Sequence, residues 1–91
     1  MAILISTMIK GQTAEGYDQV SVQLHQAIRN SSGFILHTAF AAYDGWHVME
    51  VWNSKAEADE FFAKVVRPNL PQEIHPKRSY QELHSVVTPQ L

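Results

Sequence analysis

The 91-residue chain contains no cysteine. That excludes a disulfide, a thiolate nucleophile and any cysteine-ligated metal. Charge is also scarce: Asp, Glu, Lys and Arg together make up 18% of the residues, for a net charge of −2. Lys77-Arg78 is the only adjacent basic pair. Such a chain has no electrostatic footprint for nucleic acid or for an anionic membrane surface. The apolar start, Ala2 to Ile9, is too short for a membrane span, and no basic segment precedes it. It does not read as a signal peptide, so a cytoplasmic location is expected. No Ser-His-Asp signature, Gly-rich phosphate loop or Rossmann fingerprint is present. Internal repeats and low-complexity segments are missing too.

What is present is a hydrophobic fraction of 45%, which fits a globular chain and excludes general disorder. The length predicts a single domain over residues 1–91. Its organising stretch is Phe34 to Asn53, two apolar runs on either side of Asp44-Gly45, a strong signal for a two-residue hairpin. With that turn Tyr43 faces Trp46, Ala41 faces Val48, Ala39 faces Glu50 and His37 faces Trp52. Alternation then puts Ile35, His37, Ala39, Ala41, Tyr43, Trp46, Val48, Glu50 and Trp52 on one face. Phe34, Leu36, Thr38, Phe40, Ala42, His47, Met49, Val51 and Asn53 fall on the other. Neither face is polar, so both must be covered.

Ala2 to Ile9 reads as a central strand, apolar on both sides. Thr13 is a plausible N-cap, with Glu15 in the first turn. Tyr17, Val20, Leu24, Ala27 and Ile28 then form the stripe of an amphipathic helix. Asn30 to Gly33 ends it. Ser54 and Glu57 form a capping box for a second helix, whose buried stripe is Ala58, Phe61, Phe62 and Val65. Pro68 turns Arg67 away from helical geometry and ends that helix. Asn69 to Pro76 is a loop, Ser79 to Thr88 a last strand, and Pro89-Gln90-Leu91 a tail. The order βαββαβ predicts an α+β, ferredoxin-like fold with a four-stranded antiparallel sheet and both helices on one face. The other apolar face then calls for a second copy, which predicts a homodimer.

Gly33-Phe34-Ile35-Leu36-His37, Asp44-Gly45-Trp46, Val51-Trp52-Asn53-Ser54, Phe61-Phe62 and Arg67-Pro68-Asn69-Leu70 resemble the small proteins of the antibiotic-biosynthesis monooxygenase-like superfamily. The resemblance implies a dimeric α+β barrel with a ligand pocket between sheet and helices in each subunit. Some members oxidise polycyclic aromatic substrates with O₂ and neither metal nor flavin. Others degrade haem, and many have no known activity. The haem-degrading branch uses an Asn, a Trp and a His at positions that here hold Thr7, Phe61 and Pro71. Trp52 matches the tryptophan shared with the aromatic-oxidising branch.

The resemblance and the residues together make His37 and Glu50 the candidate catalytic pair. Trp52, Phe61 and Arg67 are the candidate ligand-binding residues. His37 would move a proton or fix an oxyanion while Trp52 stacks on a planar ligand. The bland alternative is an aromatic packed beside a hydrogen-bonded histidine. Glu50, mid-strand, is costly unless paired, and an arginine is its expected partner. Phe61 would line a pocket wall, or belong to the core. Arg67 would clamp an anionic group, or complement its helix dipole. His37 and His47 lie on opposite faces, and His25, His75 and His84 show no ligand spacing, so no metal is expected. The resulting expectation is a cofactor-independent monooxygenase-like protein acting on or binding a small aromatic or apolar molecule. The alternatives are a non-catalytic dimeric module of the same fold and, less favoured, a haem-degrading enzyme.

Overall fold

The structure is a computed structural model that describes residues 1–89. Of the expected tail, Gln90 and Leu91 lie outside the described residues. The elements run β1 (Ile3–Ile9), α1 (Ala14–Arg29), β2 (Phe34–Ala42), β3 (Gly45–Trp52), α2 (Lys55–Phe61) and β4 (Lys77–Glu82). The four strands form one antiparallel sheet in the order β2-β3-β1-β4. This is the α+β, ferredoxin-like arrangement. Alternation along β1 buries Ile3, Ile5 and Ile9. Ile3, Ile5 and Trp52 share a cluster with Ile28 of α1 and with Ala58 and Phe61 of α2, so both helices lie on that face. A second cluster of Ile9, Trp46 and Val48, with Tyr17 beside it, occupies the other end of the same face.

The hairpin departs from its expected register. Ala42 pairs with Gly45, Ala41 with Trp46, Ala39 with Val48 and His37 with Glu50. Tyr43 and Asp44 therefore form the tip, and Gly45, at φ +139°, opens the returning strand instead of closing the turn. A slip of two residues leaves every side chain on its expected face. It changes the cross-strand partners: His37 stands opposite Glu50, not Trp52. A bulge then interrupts β2, with Phe34 opposite Trp52 and Leu36 opposite Val51, so that Ile35 is the extra residue. Phe34 consequently moves to the helix-facing side and meets Trp52 edge-on, ring centroids 5.5 Å apart.

The end of the second helix also differs. Regular α-helix stops at Phe61, and a π-helical turn (Phe62–Val66) and a 3₁₀ turn (Arg67–Asn69) carry the helical path onward. Arg67 keeps helical dihedrals, and the chain becomes extended only at Leu70. Pro68 is accommodated because it falls in the first turn of the 3₁₀ segment, where its missing N–H is not needed. β4 spans Lys77–Glu82, not residues 79–88. Its ladder with β1 reaches Ile3–Glu82, and one further bond, from the Leu83 amide to the Ala2 carbonyl, follows.

Glu57 ties the start of α2 to the turn before β2. One carboxylate oxygen accepts from Ser54 Oγ at 2.9 Å, the other from Ser32 Oγ at 2.7 Å, and these bonds hold its pKa below the usual glutamate value. Ser54 Oγ in turn accepts from the Glu57 amide at 3.2 Å. Gly33 has φ +84°, and a Cβ there would collide with the Glu57 carboxylate. Ser54→Ala should lose about 1 kcal/mol of stability. Gly33→Ala should lose at least about 1 kcal/mol from its left-handed backbone, before counting the collision. Urea unfolding with unchanged m-values checks both.

Candidate functional site

On α1, Tyr17, Ser21 and His25 recur every four residues and form one row on the helix surface. Thr13 fixes the start of that row, its Oγ1 accepting from the Gly16 amide at 3.0 Å. Ser21 is buried and satisfies itself by donating to the Asp18 carbonyl oxygen at 3.1 Å. The polar tips of Tyr17 and His25 remain, 3.2 Å apart from hydroxyl to Nε2.

Opposite them the sheet presents His37 and Glu50 as a cross-strand pair. His37 Nδ1 lies 2.6 Å from Glu50 Oε2, and His37 Nε2 lies 2.6 Å from the Tyr17 hydroxyl. The other Glu50 oxygen accepts the indole N–H of Trp52 at 2.9 Å. Proton positions follow from the chain's end point. An ionised carboxylate only accepts and an indole only donates. Glu50 therefore accepts hydrogen bonds from the Trp52 indole N–H and from His37 Nδ1–H. A neutral His37 then accepts at Nε2, so Tyr17 donates to it, and the Tyr17 oxygen accepts from His25. Burial raises the Tyr17 pKa, and the charges of Glu50 and Asp18 push it the same way.

This chain opens into a cavity of about 80 Å³. Val20, Leu24 and Ile28 wall it from α1, Val48 from the sheet, and Phe61 and Phe62 from α2 and its extension. Tyr17, His25, His37 and Glu50 all line it. The expected site residues thus separate into groups. His37, Glu50 and Phe61 border one space. Trp52 does not line it: the ring is wholly buried behind Glu50, between Phe34 and Phe61 at 5.5 Å from each. Arg67 is exposed and borders a more open space of about 550 Å³ that adjoins the cavity at Phe62, Leu70, Pro76 and Arg78, its guanidinium 5.3 Å from the Phe62 ring centre. The expected arginine partner of Glu50 is absent among the described residues. Arg78, which does border the cavity, lies 3.4 Å from Asp59 and 4.1 Å over the Phe62 ring. His47 faces away and pairs with Asp44 at 2.7 Å.

Two site residues were absent from the sequence-derived set, Tyr17 and His25. The available signal was the four-residue row with Ser21, three polar groups in line on the side of the helix that carries its apolar stripe.

No family model and no curated protein sequence matches the chain. Solved structures do. A mutant of SnoaB, a cofactor-independent oxygenase from Streptomyces nogalater, superposes with a TM-score of 0.67 over 97% of each chain at 10% identity. The chain has the antibiotic-biosynthesis monooxygenase-like fold. ActVA-Orf6, a monooxygenase of Streptomyces coelicolor solved with the ligand nanaomycin D, gives a TM-score of 0.60 at 20% identity, over 98% of this chain and 92% of its own. NE2512 of Nitrosomonas europaea, a protein of unknown function, gives 0.65 at 12% identity, over 98% and 93%. The monooxygenase-like fold thus carries oxygenases and proteins without an assigned role, and these identities establish the fold alone. No helix among the described residues is long and apolar enough to cross a membrane.

The raised Tyr17 pKa has a signed consequence. The folded state holds this proton more tightly than the unfolded chain does. The associated stability is intact below the ordinary tyrosine value of 10.0 and is lost as pH rises through the folded-state value. Alkaline titration of tyrosinate absorbance should show a late component that Tyr17→Phe reduces. The remainder belongs to Tyr80, whose pKa burial and its bond to Asp59 also raise.

Proposed function

We propose that the protein is a cofactor-independent monooxygenase of a small phenol or quinol, bound in the cavity beside His37. One observation carries this reading: a carboxylate-backed histidine, linked to a tyrosine hydroxyl, opens into a mostly apolar space. Acid–base chemistry in a low-dielectric pocket favours a substrate that is apolar until a proton leaves it. His37, held by Glu50, is the proton acceptor. The resulting anion carries its negative charge to a ring carbon, which supplies electrons to O₂ and forms a carbon–oxygen bond. Loss of water from the hydroperoxide leaves a carbonyl: one oxygen atom stays on the substrate, the other departs in water, and the substrate supplies all the electrons.

The cavity limits the substrate's size. Its volume, about 80 Å³, corresponds to roughly five to eight water positions and is about half the roughly 150 Å³ of a cavity that takes one benzene, so the substrate is no larger than one ring, which enters as the lining side chains give way. A haem does not fit that space, which argues against the haem-degrading reading. An open space beside the hydrogen-bonded His37 likewise argues against a site filled by its own side chains, the form a purely structural module of this fold would take. A ligand-binding module without turnover is the remaining alternative.

The working unit in this proposal is a homodimer of single-domain subunits, each spanning residues 1–91, in the cytoplasm. Support comes from the outer face of the sheet. Leu36 and Phe40 are 51% and 44% exposed there. Leu4, Met8 and Met49 flank them by register. Half-exposed aliphatic and aromatic side chains in one stripe are what a sheet-on-sheet contact covers.

Two measurements test these statements. Purified protein should consume O₂ with single-ring quinols more readily than with anthrones, and His37→Ala should slow uptake by about 10²–10⁴-fold. No uptake with any of them, alongside measurable binding, would leave the binding-module reading. Sedimentation at micromolar concentration should return twice the 10.3 kDa of one chain. A particle of single-chain mass would remove the dimer.

A further inference from the structure

We propose that Tyr17 is the residue that meets the substrate's hydroxyl, passing that proton to His37, while His25 holds the same tyrosine oxygen from its other side. The proposal rests on the reading that the cavity takes a phenol. It departs from a mechanism in which His37 touches the substrate.

Occupancy of the polar groups around the cavity favours Tyr17. His37 has two ring nitrogens and both are committed, Nδ1 to Glu50 and Nε2 to Tyr17, each at 2.6 Å. A substrate hydroxyl reaches His37 only by displacing one of them. Glu50 is committed on both oxygens, to His37 and to Trp52. Arg78, the one guanidinium bordering the cavity, is engaged by Asp59 and by the face of Phe62. The Tyr17 oxygen differs. It donates one proton, to His37, and has two lone pairs, of which His25 takes one across a longer 3.2 Å contact. The second is available to a donor in the cavity that Tyr17 lines.

Tyr17 is not a free-standing base. Burial and the nearby Glu50 and Asp18 charges disfavour its phenolate, so it gives up a proton only as it gains one. The step is concerted. The substrate O–H bond breaks as a new Tyr17 O–H bond forms. The old Tyr17 O–H bond breaks as His37 Nε2–H forms. The products are a substrate phenolate and a His37 imidazolium facing the Glu50 carboxylate. No electrons move, and no oxidant is required.

The probe is 4-nitrophenol, whose ionised form is yellow. Binding is measured by calorimetry and the ionised fraction by absorbance, at a pH where the free phenol is mostly protonated. Wild-type protein should bind it as the phenolate. Tyr17→Phe should still bind it, with the ratio of bound phenolate to bound phenol reduced about tenfold or more, equivalent to at least one pKa unit. His37→Gln should give the same loss, and the double variant no greater one, because the two act as a unit. Loss in His37→Gln but not in Tyr17→Phe overturns the proposal, since the phenol would then meet His37 directly, and leaves the aromatic-site reading standing. Failure of the wild type to bind removes that reading and the proposal together. A second measurement needs no variant. On adding 4-nitrophenol to wild-type protein, the His37 ¹⁵N resonances should move to imidazolium values while Tyr17 stays a neutral phenol. Unmoved His37 resonances with the phenolate bound would overturn the proposal.

Discussion

The structure depends on how the Glu50 carboxylate is satisfied. A charged group in the middle of β3, on the face that packs beneath two helices, would be strongly destabilising without donors. It has two, from different directions. Trp52, two residues on and on the same face, supplies its indole N–H, and His37 supplies Nδ1 from the neighbouring strand. Each bond constrains its donor. Trp52 is anchored at the centre of the core, where its ring separates Phe34 from Phe61. His37 is fixed in one tautomer, with its second nitrogen aimed at Tyr17. A partly buried carboxylate thus orders both the core and the site.

The bulge at Ile35 makes that arrangement compatible with the rest of the sheet. Phe34 and His37 are three residues apart, so in a regular strand they would point to opposite faces. The core beside Trp52 takes Phe34, and Glu50 takes His37, both from the helix side. One extra residue in β2 reverses the alternation between them and satisfies both. Trp52 pairs with Phe34 and Glu50 with His37 on a strand that could otherwise serve only one of them.

The element order, the sheet and the face that lies beneath the helices were legible because hydrophobic alternation encodes them directly. The faces of the hairpin around His37 survived an error in register because the slip was of two residues, an even number. The register itself was hidden. Asp44-Gly45 is good turn chemistry, but Gly45 serves equally well as the first residue of β3, and the chain uses it there. The bulge left no mark, since Phe34-Ile35-Leu36 is apolar in every register. Trp52 was placed correctly on the face of His37, yet alternation does not say whether an indole faces a cavity or feeds a carboxylate behind one. Tyr17 and His25 were hidden for a related reason. A tyrosine in an apolar helical stripe reads as core, and its partners come from strands twenty and more residues away. Arg67 was misplaced through the helix end. A π-helical turn shifts the phase of everything after Phe62, and local propensity does not announce it.

The geometry of the chain also bears on how a proton is held. With His37 neutral, the hydrogen bonds run from His25 through Tyr17 to His37 and end on Glu50. With His37 protonated at Nε2, the imidazolium donates to Tyr17, and the tyrosine hydroxyl turns to donate to His25 once that ring carries its proton on Nδ1 and leaves Nε2 an acceptor. The heavy-atom distances that allow the first arrangement, 2.6 Å and 3.2 Å about the tyrosine oxygen, allow the second without any backbone movement. Only protons and one hydroxyl torsion change. A proton placed on His37 is therefore met by a carboxylate already in position and by a hydroxyl that reverses its role. In a cavity with apolar walls, where water is a poor competitor and charges interact strongly, a pre-set response of this kind lowers the reorganisation that charge separation requires. In the proposed site the network also favours a ligand that carries a hydrogen-bond donor, because one without a donor leaves the tyrosine's remaining lone pair unmatched.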